Sequence, residues 1–296
     1  MRSTLLFGIG VISLSAFFAS REFITIAPLQ DFKNVEIKTI KANGNIYMLE
    51  GAGGNIGISA GDDGVLMIDD QFADLEPKIR EAIKKLSGKP IKFLLNTHFH
   101  GDHTGGNALF GTESSILAHT NVRKRLETGR APMAKSGLPI ITFDESLSVH
   151  FNGEEIKAIH IPNSHTDGDA VIYFTKSNVV HMGDLFFSGR FPFIDIGSGG
   201  SVKGLIAGIE KVIQTIPADA KVIPGHGPLG GVDDLKSYLK FLQRTYEIVA
   251  NGVKAGKDFE TLKKEDVLKE FEKFNWEFIN SERFLKTLFD DIKKNK

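Results

Sequence analysis

Cysteine is absent from the 296 residues, which excludes disulfides, thiolate nucleophiles and zinc sites held by cysteine. The net charge is also small, because 36 Lys and Arg residues nearly balance 37 Asp and Glu residues. No basic excess therefore indicates a nucleic-acid partner, and we expect a small-molecule ligand instead. The length and the 41% hydrophobic content are typical of a folded protein, and we predict one large α/β domain over residues 21–296.

The most apolar run of the chain lies at its N-terminus, in residues 5–18. Arg2 precedes it, and small residues follow at Ala16 and Ala19, which is the pattern of a secretory signal. We predict a signal peptide at residues 1–20 and export to a periplasm or beyond the cell. The alternative is an uncleaved membrane anchor, although the run is short for a membrane span. After cleavage, no stable membrane span is expected.

Four potential metal ligands lie close together in the run NTHFHGDHTGG at residues 96–106. In an extended stretch, side chains two positions apart point the same way, so His98 and His100 can bind one ion from one side. Asp102 and His103 follow a glycine turn and can reach a second point nearby. Imidazole and carboxylate groups are ligands that zinc and related divalent ions accept. The run therefore predicts a metal site.

The spacing of apolar residues predicts strands and helices in both halves of the chain. In the first half, strands are predicted at residues 35–40, 46–50, 55–59, 65–68, 91–95 and 115–118, and helices at 75–86, 107–110 and 120–126. In the second half, strands are predicted at 147–151, 155–160, 170–174, 178–181 and 221–223, and helices at 202–216, 233–251, 261–274 and 281–294. Two mixed β-sheets packed face to face, with helices outside, would accommodate this order.

Three further candidate ligands follow predicted strands in the second half. His165, Asp184 and His226 each lie where a strand gives way to a loop that contains glycine. A lone histidine in such a loop is usually structural, so each signal is weak by itself. With the cluster at residues 98–103, they make five histidines and two aspartates at strand ends, where ligands of α/β sites commonly lie.

The cluster followed by His165, Asp184 and His226 resembles the metallo-β-lactamase superfamily over residues 35–242. The resemblance implies an α/β (α+β) fold, a four-layer αββα sandwich of two mixed β-sheets with outer helices. Residues from about 233 to 296 would be a C-terminal helical extension. It also implies two zinc ions per chain, with iron or manganese as alternatives. The implied first-ion ligands are His98, His100 and His165, the second-ion ligands are Asp102, His103 and His226, and Asp184 bridges both.

The aspartate at position 184 distinguishes branches of that family. Lactamases of one major class have cysteine at this position, whereas glyoxalase II, lactonase and alkylsulfatase-like branches have aspartate. A lysine that pairs with the drug carboxylate in the cysteine-bearing lactamases is replaced here by Phe187. Asp69, at the end of an early strand, matches an aspartate that supports the ligands in the family, although a plain turn residue is the alternative.

The resemblance implies hydrolysis by a metal-bridging hydroxide that attacks an ester, thioester, lactone or amide-type bond. Asp102 is predicted to move a proton in addition to binding metal. Phe187, Arg190 and Phe191 are predicted to contact substrate, with core packing and a surface salt bridge as alternatives. Two other functions stay open at this point: a β-lactamase, and a di-iron redox protein that does not hydrolyse. The oligomeric state, the substrate and the native metal are not predicted.

Overall fold

The computed structural model describes residues 32–129 and 131–294, so the predicted signal peptide lies outside the described residues. The strands are β1 (Lys38–Asn43), β2 (Ile46–Glu50), β3 (Ile56–Gly61), β4 (Gly64–Ile68), β5 (Ile91–Leu95), β6 (Ser115–His119), β7 (Ile141–Phe143), β8 (Ser146–Phe151), β9 (Glu154–His160), β10 (Ala170–Phe174), β11 (Val179–His181), β12 (Lys221–Ile223) and β13 (Gly230–Gly231). The α-helices are α1 (Glu76–Leu86), α2 (Gly101–Thr104), α3 (Asn107–Phe110), α4 (Thr120–Thr128), α5 (Val202–Thr215), α6 (Val232–Lys254), α7 (Phe259–Lys264) and α8 (Ser281–Lys294).

The strands form two mixed sheets. Sheet 1 has the order β1-β2-β3-β4-β5-β6-β7, antiparallel as far as β4 and parallel from β4 to β7. Sheet 2 has the order β13-β12-β11-β10-β9-β8, and its one parallel pair is β11 with β12. Because the carboxyl ends of parallel strands meet at one edge, the loops after β4 and β5 leave sheet 1 side by side.

Strand β4 shows why the sheets are stacked between helices. Its residues are all buried, and alternate side chains point to opposite faces. Leu66 and Ile68 join residues of sheet 2 in a cluster between the sheets, whereas Val65 and Met67 join the buried face of α1. On the outer face of sheet 2, a third cluster contains residues of α5, α6 and α8. The predicted αββα sandwich of two mixed sheets is therefore confirmed.

Two of the differences between the predicted and the observed elements have identifiable reasons. The first strand begins at Lys38 rather than at residue 35, because its partner β2 ends at Glu50, directly opposite Lys38. Residues 35–37 consequently have no strand to pair with. The helix predicted at 261–274 is wrong as a continuous element: α7 ends at Lys264, Asp266 adopts a left-handed backbone with φ of 50°, and a 3₁₀ helix follows at Lys269–Phe274.

The helices after residue 232 share the core of sheet 2. Phe191 is fully buried there, with its ring centroid 5.0 Å from that of Phe284 in α8 and 5.7 Å from that of Phe241 in α6. These contacts join the C-terminal helices to the segment that follows Asp184. Within the described ranges, the helices are all too short or too polar to cross a membrane.

We expect Phe191→Ala to lower the free energy of unfolding by about 3–5 kcal/mol, because it removes a ring from a filled aromatic cluster. Urea denaturation followed by circular dichroism measures the change. The matched control is Ile140→Ala, which truncates a side chain that is 68% exposed and should stay within about 0.5 kcal/mol of the parent. A loss below about 1 kcal/mol for Phe191→Ala would show that the C-terminal helices do not depend on this ring.

Candidate metal centre

The loop after β5 and the short helix α2 deliver the first four candidate ligands. His98 and His100 follow Leu95 in a loop that bends at residues 97–99, so the extended stretch predicted there is replaced by a bend, although both rings reach the same group. Asp102 and His103 lie in α2, one helical turn that begins at Gly101. The turn reverses the chain, so His103 approaches the centre from a second direction, with its ring centroid 4.2 Å from that of His98.

The other three candidates reach the same place from sheet 2. Asp184 follows β11, His226 follows β12, and His165 lies in the loop between β9 and β10. All three are buried, with relative exposures of 4%, 7% and 0%. The structure therefore brings together the seven side chains that were predicted as metal ligands.

The seven candidates form two groups. Within each group, the possible ligand atoms all lie within 4.8 Å of one another. Asp184 faces both groups with different oxygens. Its Oδ2 lies 3.4 Å from Nε2 of His165 and 3.7 Å from Nε2 of His98, in the first group. Its Oδ1 lies 3.1 Å from Nε2 of His103 and 3.4 Å from Nε2 of His226, in the second. The first group is His98, His100, His165 and Asp184, and the second is Asp102, His103 and His226.

Unpaired polar atoms at the centre match the needs of a cation. Among the described residues, Nε2 of His98, Nε2 of His103 and Oδ1 of Asp184 are buried without a hydrogen-bond partner. Leaving such an atom unpaired costs about 1–3 kcal/mol. A divalent cation accepts lone pairs from all three, so the donors fit a metal such as zinc, which binds imidazole nitrogen and carboxylate oxygen.

The histidines around the two candidate carboxyl groups keep them ionised. Burial would raise the pKa of Asp184, but His226, His103, His165 and His98 outweigh burial and hold it well below its usual range. Burial would likewise raise the pKa of Asp102, yet His103 and His226 lower it to about 2. Both carboxyl groups are therefore ionised at neutral pH and contribute negative charge to the centre.

Hydrogen bonds on the outer side fix the direction of the rings. Nδ1 of His103 lies 2.7 Å from Oδ2 of Asp69, which also accepts a hydrogen bond from the hydroxyl of Thr97. Nδ1 of His165 lies 2.8 Å from the carbonyl oxygen of Phe193. In both rings Nε2 is left to face the centre, so the outer hydrogen bond selects the nitrogen that a metal would meet. Asp69 is fully buried and has a left-handed backbone with φ of 58°, and its role as a carboxylate that supports a metal ligand stays a prediction.

Asp195 is a functional candidate that no sequence pattern indicates. Its Oδ2 lies 3.1 Å from Nε2 of His100, while Nδ1 of His100 lies 2.9 Å from Nε2 of His165 and so faces the first group. Asp195 orients His100 as Asp69 orients His103. The two residues of the pair are 95 positions apart, and no local motif around Asp195 signals the contact.

Gly54 allows the second group to pack against the loop before β3. A Cβ added at Gly54 would lie 2.5 Å from Nε2 of His103, so only glycine fits. Its neighbour Asn55 holds the loop in place by donating to the carbonyl oxygens of Pro224 and Gly227, on either side of His226. The glycine-rich character of residues 51–54 was the sequence signal for this contact.

The residues predicted to contact substrate occupy three different environments. Phe187 is buried, and its ring stacks on that of His226 at 5.1 Å. Arg190 is half-buried and lies over the ring of Trp276, and it makes no salt bridge to any carboxylate of residues 32–129 or 131–294. Phe191 lies in the aromatic core described above, so substrate could reach it only if that core opened. Their contact with substrate stays a prediction.

The chain is similar in sequence to a family of known proteins. The family profile of the metallo-beta-lactamase superfamily matches residues 42–235. The chain is 29% identical to 2,4-dinitroanisole O-demethylase subunit alpha of Nocardioides sp. (strain JS1661), over 44% of this chain and 40% of that protein. It is 25% identical to metallo-beta-lactamase IND-1 of Chryseobacterium indologenes, over 76% of this chain and 98% of that protein. The chain thus spans two fifths of the first relative's length.

A solved structure supports the fold alone. The metallo-beta-lactamase from Pontibacter korlensis superposes with a TM-score of 0.61 at 18% identity, covering 70% of this chain and 99% of that one. Residues 236–296, which contain most of α6 and all of α8, lie beyond the segment that the family profile matches.

We expect Gly54→Ala to displace the ring of His103 and to lower the metal content by about one equivalent per chain, because the second group loses a ligand. Inductively coupled plasma mass spectrometry of purified protein measures the content. Gly88→Ala is the matched control, since a Cβ at Gly88 meets no atom within 4 Å. An unchanged metal content in Gly54→Ala would contradict the role of His103.

Replacing Asp195 tests the orientation of His100. We expect Asp195→Ala to weaken metal binding by about 10–100-fold, because His100 loses the partner that fixes its ring. Asp195→Asn should have a smaller effect, since the amide oxygen can still accept a hydrogen bond. Competition with a chromophoric chelator measures the affinity, and equal affinities in all three proteins would refute the orienting role.

Proposed function

The chain belongs to the metallo-β-lactamase superfamily, and on that basis we propose that it is a hydrolase that depends on two zinc ions. The proposed ligands of the first ion are His98, His100 and His165, and those of the second are Asp102, His103 and His226. Asp184 would be shared between the ions. Iron or manganese in place of zinc is compatible with the same imidazole and carboxylate ligands.

The observation that carries the proposal is the position of Asp184 between the two groups. Its carboxylate is buried and presents one oxygen to each side, at 3.4 Å from His165 and 3.1 Å from His103. If metal were bound, the Asp184 carboxylate would be available to both ions and would offset part of their charge. When bound, a pair of such cations would polarise the scissile group as a Lewis acid. It would also lower the pKa of a bound water molecule to about 7.

Asp102 is the residue proposed to handle a proton. Its side chain is 28% exposed, against 5% for Asp184, so it is the more accessible of the two carboxylates. Oδ2 of Asp102 lies 3.3 Å from Nε2 of His226, and the low pKa keeps Asp102 ionised, so it can take up a proton only transiently. We propose that Asp102 binds metal and briefly accepts, at Oδ2, the proton that is released during hydrolysis.

The proposed substrates are small molecules with an ester, thioester, lactone or amide-type bond. Phe187 stacked on His226 leaves an aromatic ring where cysteine-bearing lactamases have a lysine, which favours these bonds over β-lactams. A β-lactamase is the second candidate because the similarity to metallo-beta-lactamase IND-1 extends over 98% of that protein. We further propose that the protein is exported, on the signal-like pattern of residues 1–20.

Metal removal tests the hydrolase proposal. We expect chelation to abolish hydrolysis of p-nitrophenyl esters and thioesters, and added zinc to restore it. His100→Ala should lower the rate by at least about a hundredfold, because it removes a ligand. The matched control is His150→Ala, which replaces an exposed histidine of β8 and should leave the rate unchanged. Penicillin and carbapenem added to the substrate panel distinguish the second candidate.

If protein freed of metal hydrolyses these substrates as fast as the zinc-loaded protein, the proposed function is wrong. If only the lactams are hydrolysed, the first set of bonds is wrong and the second candidate is correct.

A further inference from the structure

Three aromatic rings line the outer side of the candidate centre, and we call Phe193, Trp276 and Phe278 the aromatic strip. The ring centroid of Phe193 lies 5.7 Å from that of His100 and 5.8 Å from that of His165. The centroid of Trp276 lies 5.8 Å from that of His226. The strip therefore contacts ligand histidines of both groups.

Phe278 joins the two ends of the strip. Its centroid lies 5.5 Å from that of Phe193 and 5.7 Å from that of Trp276. Phe278 is 46% exposed, and among the described residues it is the one phenylalanine, tyrosine or tryptophan in the exposed class. A single exposed apolar residue is ordinary, but a ring that continues a row of rings to a polar centre forms an apolar wall of the kind that lines ligand sites.

Trp276 and Phe278 are held by hydrogen bonds that do not involve the centre. The indole N–H of Trp276 donates to the carbonyl oxygen of Phe191 at 2.9 Å, and the backbone N–H of Phe191 donates to the carbonyl oxygen of Phe274 at 2.8 Å. Ile279, 3% exposed, anchors the turn in the core. The guanidinium of Arg283 donates to the carbonyl oxygen of Phe278 and lies 4.8 Å from its ring. A rigid wall loses little entropy when it binds a ligand.

We propose that the aromatic strip is the subsite that binds an apolar part of the substrate, an alkyl chain or an aryl ring attached to the scissile group. This rests on the proposed function, and it narrows the substrate class to esters and thioesters of apolar acids. Trp276 and Phe278 lie beyond the matched residues 42–235, so this selectivity belongs to the C-terminal extension. The extension supplies the wall while the two sheets supply the ligands.

The sole tryptophan of the chain makes the subsite measurable without hydrolysis. Because Trp276 is the only tryptophan, intrinsic indole fluorescence reports on the strip alone. The zinc-loaded full chain is titrated with acetate, butyrate, hexanoate and octanoate. We expect the fluorescence to change on binding and the affinity to rise by about fourfold for each added methylene group that becomes buried. Acetate gives the affinity of a carboxylate without an apolar tail.

Variants of Phe278 test whether the aromatic strip, rather than exposed apolar surface in general, binds the apolar tail of the probe. Phe278→Ala should lower octanoate affinity by about tenfold and leave acetate affinity unchanged, because only the apolar tail contacts the ring. Phe278→Leu should recover part of the loss. Ile140→Ala, which truncates another exposed apolar side chain, is the matched control and should bind every probe as the parent does. Thermal unfolding followed by circular dichroism confirms that each variant is folded.

The rate of ester hydrolysis distinguishes failure of the subsite from failure of the hydrolase. With p-nitrophenyl esters of the same acids, Phe278→Ala should raise KM for the octanoate ester and leave kcat and the acetate ester unaffected. Hydrolysis of all esters with no dependence of Trp276 fluorescence or of KM on chain length would overturn the subsite and keep the proposed function. Binding that strengthens with chain length, without hydrolysis of any ester, would keep the subsite and overturn the function.

Discussion

The electrostatic balance around the buried carboxylate of Asp184 is the constraint on which the rest of the centre depends. An ionised carboxylate that is 4% exposed is unfavourable unless opposite charge or a cation surrounds it. Four histidines lie close to it and hold its pKa low, two from the loop after β5 and α2 and two from loops of sheet 2. Because the histidines come from both sheets, the two halves of the sandwich must meet at this edge for the charge to be compensated.

The outer hydrogen bonds make this arrangement directional. Asp69 holds His103 and Asp195 holds His100, so each ring presents one nitrogen to the centre. Asp69 does so with a left-handed backbone, a conformation that costs about 1–3 kcal/mol in residues other than glycine. The surrounding bonds to Thr97 offset that cost. Strain next to a buried polar centre is typical of functional sites.

The C-terminal extension contributes to the same edge in a different way. Its helices complete the core of sheet 2 around Phe191, and the turn before α8 places Trp276 against the candidate ligand His226 and Phe278 beside Trp276. Packing and substrate recognition are therefore linked: the hydrogen bonds that attach Trp276 to Phe191 also position the wall of the proposed subsite. A change of sequence in this extension could alter the preferred substrate without altering the ligands.

The sequence alone determined that four candidate ligands lie close together at residues 98–103 and that the strand Ile91–Leu95 precedes them. Apolar periodicity and residue spacing are local properties, so both features can be read without the tertiary structure. They also placed His165, Asp184 and His226 after strands, and the family resemblance assigned them to two groups. Only the tertiary structure decided which oxygen of Asp184 faces each group, since that depends on where two loops of different sheets meet. It likewise brought Asp195 to His100 and Trp276 to His226, contacts between distant positions that no periodicity encodes.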